Sequence, residues 1–213
     1  MNSFNNFNLD TEILKSLDIL DYKIPSQVQS RVIPVLLDKK DILVKSKTGT
    51  GKSAAFAIPI CNKIKKLENK LKALVIVPTR ELALQVKEEI EKIGRLKMIK
   101  CSVILGKEPL KNQILELKQG TNVIVATPGR MIDHISRGSV DLDDLDYVLD
   151  GMMLLGSKGT TGTQASFLEL FEGDHEKIKE LEKKIAKKMG FEKCFPVSGQ
   201  TYSRKMDTRV LNI

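Results

Sequence analysis

One segment constrains this chain more than any other: Ser46-Lys47-Thr48-Gly49-Thr50-Gly51-Lys52-Ser53, which lies between an apolar run at 41–44 and a helical stretch reaching about residue 67. A Gly-rich turn between a strand and a helix lets backbone N–H groups converge on a phosphate, while the helix offers its positive end. Thr48, Gly49, Thr50 and Gly51 would form the cradle, Lys52 would reach the outer phosphates of a nucleotide, and the Ser53 hydroxyl would take a place on Mg2+. Ser46 stands where the general pattern has Gly, and its small side chain keeps the turn feasible. The G-x-G-x-x-G pattern of dinucleotide-binding turns is absent.

The rest of the chain alternates in the same way. Apolar runs at 41–44, 73–77, 101–105, 122–126 and 145–149 predict five short strands, and 3.6-residue periodicity predicts helices at 80–93, 110–117 and 128–135. Asp10 is a plausible N-cap for a helix over 11–17, and Pro25 precedes another over 27–36; these two are expected to pack on the sheet's edge. Alternation of this kind marks an α/β domain around a parallel sheet flanked by helices. After Asp150 the texture changes: 151–162 is rich in Gly, Thr and Ser, and 176–189 is a strongly charged helical pattern. The predicted division is therefore a domain over 1–150, a junction over 151–156 and a mostly helical C-terminal segment over 157–213.

With 213 residues, the chain has room for one full-sized domain and a short appendage. No window approaches the roughly 18 apolar residues of a membrane span, and the polar, Asn-rich start to Asp10 is unlike a secretory signal, so a cytoplasmic protein is expected. Cys61, Cys101 and Cys194 are too scattered for a disulfide framework or a thiolate metal site, and read as buried or incidental thiols. The net charge of +8 favours a polyanionic partner only slightly. Lysine-rich faces such as Lys63, Lys65 and Lys66, or Lys183, Lys184, Lys187 and Lys188, read as solvated.

Further stretches, in order, resemble the DEAD-box RNA helicases. Tyr22-Lys23-Ile24-Pro25-Ser26-Gln27-Val28-Gln29 is similar to the family's adenine-reading Q motif, with Asp21 where the family has Gly and Phe4 at the position of its upstream aromatic. Pro78-Thr79-Arg80-Glu81-Leu82 resembles motif Ia and Thr127-Pro128-Gly129-Arg130 motif Ib, both placed at helix starts after a strand. The resemblance spans 4–150 and implies a RecA-like domain holding ATP and Mg2+. Gln29 would read the adenine edge, Phe4 would stack on the base, and Pro78, Thr79, Arg80, Thr127, Gly129 and Arg130 would hold RNA through its backbone without reading sequence.

The family's Asp-Glu-Ala-Asp is here Asp150-Gly151-Met152-Met153. Asp150 keeps a place on Mg2+, with Lys52 the other catalytic candidate, but Gly151 replaces the carboxylate expected to act on water. A Ser-Ala-Thr motif and the second helicase domain are also absent from the sequence. In the family the strand before Ser-Ala-Thr lies between the phosphate-loop strand and the Asp-Glu-Ala-Asp strand; residues 193–198 are a candidate replacement, although Pro196 lacks the N–H of a central strand. Residues 157–211 resemble an internal stretch of adenylosuccinate lyase, in which Gln200 matches a substrate contact, without that family's catalytic histidine or serine loop. His175 reads as a solvated loop or helix-start residue, and Ile178, Leu181 and Ile185 as an apolar face in search of a surface. The expected function is ATP and RNA binding by a helicase ATP-binding domain whose hydrolysis and unwinding are lost. Alternatives are a module that takes up ATP–Mg2+ and RNA weakly without catalysis, a tail that associates with adenylosuccinate lyase subunits, and a chimeric product with no selected role.

Overall fold

The computed structural model describes residues 3–38, 40, 42–45, 49–142, 145–150 and 209–212. After a 3-10 turn at Phe4–Phe7 come helices α1 (Thr11–Ile19) and α2 (Gln27–Leu37), strand β1 (Ile42–Lys45), α3 (Lys52–Lys63), β2 (Ala73–Ile76) and α4 (Arg80–Gly94). A second 3-10 turn, Arg95–Lys97, leads to β3 (Cys101–Ile104), α5 (Leu110–Lys118), β4 (Val123–Ala126), α6 (Pro128–Ser136), β5 (Tyr147–Asp150) and β6 (Arg209–Asn212). The five strands predicted within 1–150 all form, within two residues of the expected bounds.

β3, β4, β2 and β5 make a parallel sheet in that order. Its two central strands are buried along their whole length, which is why they read as continuous apolar runs and not as an alternating pattern. Alternate residues still serve different cores. Ala73, Val75, Val123 and Val125 pack with α1, α3 and α4 residues such as Ile13, Ile60 and Ile90. Leu74, Ile76, Ile124 and Ala126 pack on the other face with Met131 of α6.

β1 lies in a separate pair with β6, parallel, with Ile42 opposite Arg209 and Lys45 opposite Asn212. Among the described residues no ladder joins β1 to β5. The strand that partners β1 comes from 209–212; the candidate at 193–198 and the helical pattern at 176–189 lie outside the described residues. Helix α2 spans the division. Its Val28 and Val32 pack with Val44 and Ala55, and the carbonyl of Leu36 accepts a hydrogen bond from Tyr147 Oη of β5 at 3.2 Å.

Two expectations are corrected. Helix α1 packs chiefly on α3, α4 and the Arg95–Lys97 turn, whereas α2 lies against β1 and the edge strand β5 as expected. Helix α3 ends at Lys63, short of residue 67, because Lys97 takes over its last carbonyls: the buried ammonium donates to the oxygens of Cys61 at 3.0 Å, Asn62 at 2.7 Å and Ile64 at 2.7 Å. Its counter-ion is Asp10 at 2.6 Å. Asp10 thus occupies the N-cap position of α1 without a side-chain cap bond. Cys61 and Cys101 are buried free thiols, burial pushing Cys61 up to about 12; Cys194 lies outside the described residues. Lys63, Lys65 and Lys66 are exposed, as expected.

Candidate functional site

The phosphate loop is braced from α2. Ser26 and Gln29 form a capping box, the Ser26 N–H donating to Gln29 Oε1 at 2.9 Å and the Gln29 N–H to Ser26 Oγ at 3.4 Å. The free ends of both side chains then reach the loop: Ser26 Oγ donates to the Thr50 carbonyl at 2.8 Å and Gln29 Nε2 to the Gly51 carbonyl at 3.3 Å. Gly49 and Gly51 have φ of 78° and 85°, left-handed values that favour glycine. A Cβ on Gly51 would come within 2.6 Å of Gln29 Nε2, so a side chain there would displace the amide that braces the loop, in addition to straining the backbone.

Helix α3 starts at Lys52 with Gly51 as its N-cap and no side-chain cap bond, so its first N–H groups need another acceptor. Burial lowers the pKa of Lys52, because desolvation disfavours the charged ammonium. Ser53 is half-buried in the same first turn; residues 46–48, including Thr48, lie outside the described residues. Glycine turn, open helix start and lysine together suit a polyphosphate. Among the described residues no group of three or more His, Cys, Asp or Glu could hold a metal. A Mg2+ ion carried mainly by phosphates and water needs no such group.

Phe4 is placed differently from an open stacking platform. It is 5% exposed, with Phe7 edge-on at 6.0 Å and Tyr22 stacked at 6.4 Å. Tyr22 in turn donates to Glu89 Oε1 at 2.8 Å, and burial followed by that carboxylate pushes its phenol up to about 12. The burial of an aromatic ring in the core explains the placement.

The two other predicted turns converge because β2 and β4 are neighbours, Ile76 lying opposite Ala126. Pro78 and Thr79 follow one strand and Thr127 the other. Thr79 Oγ1 caps α4 by accepting from the Leu82 N–H at 3.2 Å, whereas Thr127 makes no side-chain cap bond at the start of α6. Nothing lies within 4 Å of a Cβ built on Gly129 or on Gly106, so ligand backbone could approach at both. Asp150 ends β5 opposite Ile76, at the same carboxyl edge of the sheet, where ligands gather in parallel α/β folds.

Both arginines are engaged inside the protein. Arg80 donates through Nη1 to the Gly106 carbonyl and through Nη2 to Glu108 Oε1 at 3.0 Å. Arg130 donates through Nη1 to the Glu108 carbonyl at 2.8 Å and to Gln113 Oε1 at 3.2 Å. Gln113 Nε2 donates to the Leu105 carbonyl at 2.8 Å, which orients the amide; its oxygen therefore faces His134 Nε2 at 3.1 Å. Nε2 therefore carries a proton toward that oxygen, while Nδ1 lies 2.9 Å from Ser139 Oγ, whose hydroxyl donates to the His134 carbonyl at 2.9 Å. Burial and then the nearby Arg130 charge lower the pKa of His134.

Sequence reading missed Ser26 as a loop brace, although the S-x-x-Q spacing was a readable signal. Glu108 and Gln113 carried no local signal. Gln200 and the rest of the lyase-like stretch before 209 lie outside the described residues.

Comparison with known proteins agrees with this geometry. The family model for the DEAD/DEAH box helicase matches residues 26–190. The chain belongs to the DEAD/DEAH box helicase family. The match runs past Asp150, beyond the predicted domain boundary. This helicase-family chain is 46% identical over 160 residues to the ATP-dependent RNA helicase DbpA of Bacillus subtilis, covering 73% of this chain and 33% of that protein. It is 40% identical to the DEAD-box ATP-dependent RNA helicase CshA of Geobacillus kaustophilus, covering 73% and 34%. The chain thus spans about a third of the length of these curated relatives. Among solved structures it resembles a DEAD box protein from Methanococcus jannaschii, with TM-score 0.67, 36% identity and coverage of 70% and 41%. It also resembles an S. cerevisiae Dbp5 variant bound to RNA and ADP BeF3, with TM-score 0.64, 30% identity and coverage of 72% and 40%.

Proposed function

We propose that this chain binds ATP with Mg2+ at the 46–53 loop and RNA backbone along the neighbouring turns, and that it does not turn ATP over. The observation that carries the nucleotide reading is the double brace of Ser26 and Gln29 on the Thr50 and Gly51 carbonyls, which holds the loop beside an uncapped helix start. Lys52 would neutralise the outer phosphates. Ser53 and Asp150 would hold the metal, which when bound supplies charge stabilisation on the phosphates. Gln29 retains a second amide N–H and a second lone pair for the adenine edge. Phe4 would support the base indirectly, through Tyr22.

For RNA, the open space at Gly129 and the uncapped start of α6 favour a phosphate contact, with Pro78, Thr79, Arg80, Thr127 and Arg130 around it. Loss of turnover rests on Gly151 standing where the family has a carboxylate, because phosphoryl transfer needs every positioning and charge-stabilising group at once. A cytoplasmic location remains part of the proposal, in line with the lack of any membrane-crossing helix among the described residues. Association of the 157–211 stretch with adenylosuccinate lyase subunits rests on its sequence alone, and co-purification tests it.

The deciding experiment titrates the purified chain with a fluorescent ATP analogue and Mg2+, beside Lys52→Ala, and follows phosphate release. Saturable binding lost in the variant, with no release, is the expected result. Equal affinity of the two proteins refutes the phosphate-site assignment, and steady release above the level of the variant refutes the loss of turnover.

A further inference from the structure

Among the charged groups at the carboxyl edge of the sheet, Glu108 has the least ordinary position, because it sits between the two arginines expected to meet RNA. Its carboxylate accepts from Arg80 and from Gln113 Nε2, the latter at 3.3 Å, while its carbonyl accepts from Arg130. We infer that Glu108 sets the RNA affinity of this domain by occupying, in the RNA-free state, the Arg80 guanidinium that a backbone phosphate would otherwise engage. The inference rests on the RNA reading proposed above and goes beyond it by naming a resident competitor.

Three features carry it. A carboxylate and a phosphate both accept charge-assisted bonds from a guanidinium, so a phosphate oxygen can replace Glu108 Oε1 on Arg80 Nη2 while Nη1 stays on the Gly106 carbonyl, without rebuilding the turn. The Arg80 and Glu108 side chains are 40% and 39% exposed, so an incoming anion reaches the pair, whereas the Arg130 side chain is 14% exposed and stays in its network. Glu108 also has an alternative partner: once Arg80 turns to a phosphate, Gln113 still donates to the carboxylate. Phosphate binding at Arg80 therefore works against an ion pair already made, and removing the negative charge at 108 strengthens RNA binding.

The test measures single-stranded RNA of mixed sequence by fluorescence anisotropy across a salt series, for the full chain and for Glu108→Gln, Arg80→Gln and the double variant, with a thermal melt of each. Glu108→Gln is expected to bind about two- to fivefold more tightly at low salt, the factor an exposed ion pair supports. Its log–log salt dependence steepens by about 0.7, the value for one more neutralised phosphate on a single strand. In the Arg80→Gln background the gain should largely vanish. Weaker or unchanged binding by a folded Glu108→Gln overturns the inference, weaker binding making Glu108 a positioning residue for Arg80. An equal gain in the Arg80→Gln background also overturns it, leaving a general charge effect. If no protein in the set binds RNA while the ATP analogue still binds, the RNA reading itself falls and takes this inference with it.

Discussion

Strands β1 and β2 are both four-residue parallel strands followed by a turn into a helix, yet they are held in different ways. β2 has hydrogen-bonded neighbours on both sides, β4 and β5, and buries all four residues between two cores. β1 is paired only with β6 among the described strands, and its turn is fixed by side chains from α2 reaching the loop carbonyls. One region is thus positioned by a sheet, and the other by a partner strand from far along the chain together with two side-chain braces. The phosphate loop should accordingly be the more separable of the two.

The largest effect should come from the sheet. Leu74→Ala, at a fully buried position in β2, is expected to cost about 2–5 kcal/mol in a urea melt and to weaken both turns together. A loss under about 1 kcal/mol would mean that the two-core arrangement is wrong. Lys97→Met comes next. It strips the donor from three carbonyls at the end of α3, at roughly 1–3 kcal/mol, and should lower nucleotide affinity more than RNA affinity, because α3 begins at the phosphate loop. Equal effects on the two ligands would erase the contrast between the regions.

Deleting residues 209–213 removes the partner of β1. At about 1 kcal/mol per net hydrogen bond, loss of this ladder should weaken the ATP analogue roughly tenfold or more while the main melting transition and RNA binding persist. Parallel loss of RNA binding would show that the sheet depends on β6 too. The smallest effect concerns pH. Because His134 has a lowered pKa in the folded protein, the unfolded chain binds more protons between that value and about 6.5, so stability rises with pH through this window and is lost as pH falls. A melt series from about pH 7.5 to 5.5 should show that decline, and His134→Gln should flatten it; an unchanged slope would remove His134 as its source.

Much of this was legible in the residues. Strands 73–76 and 123–126 announce themselves as apolar runs, and α4 as a periodic pattern with Thr79 in front, because periodicity and capping act over a few residues. The phosphate loop was legible for the same reason: glycines, lysine and serine act at fixed local spacing. Phe4 was not, since only its packing on Phe7 and Tyr22 shows that the ring is buried. Nor was the end of α3, which depends on an ammonium 33 to 36 positions away.

By itself, then, the sequence determined the order and kind of elements, the phosphate turn, and a place in the helicase family through motifs in register. Tertiary structure alone decided that residues 209–212 pair with β1, that Lys97 closes α3, and that Glu108 stands between Arg80 and Arg130. The physical reason is common to all three. Each joins groups that meet only after the chain has folded back on itself, 22 to more than 160 residues apart, so no local pattern of residues specifies the partner.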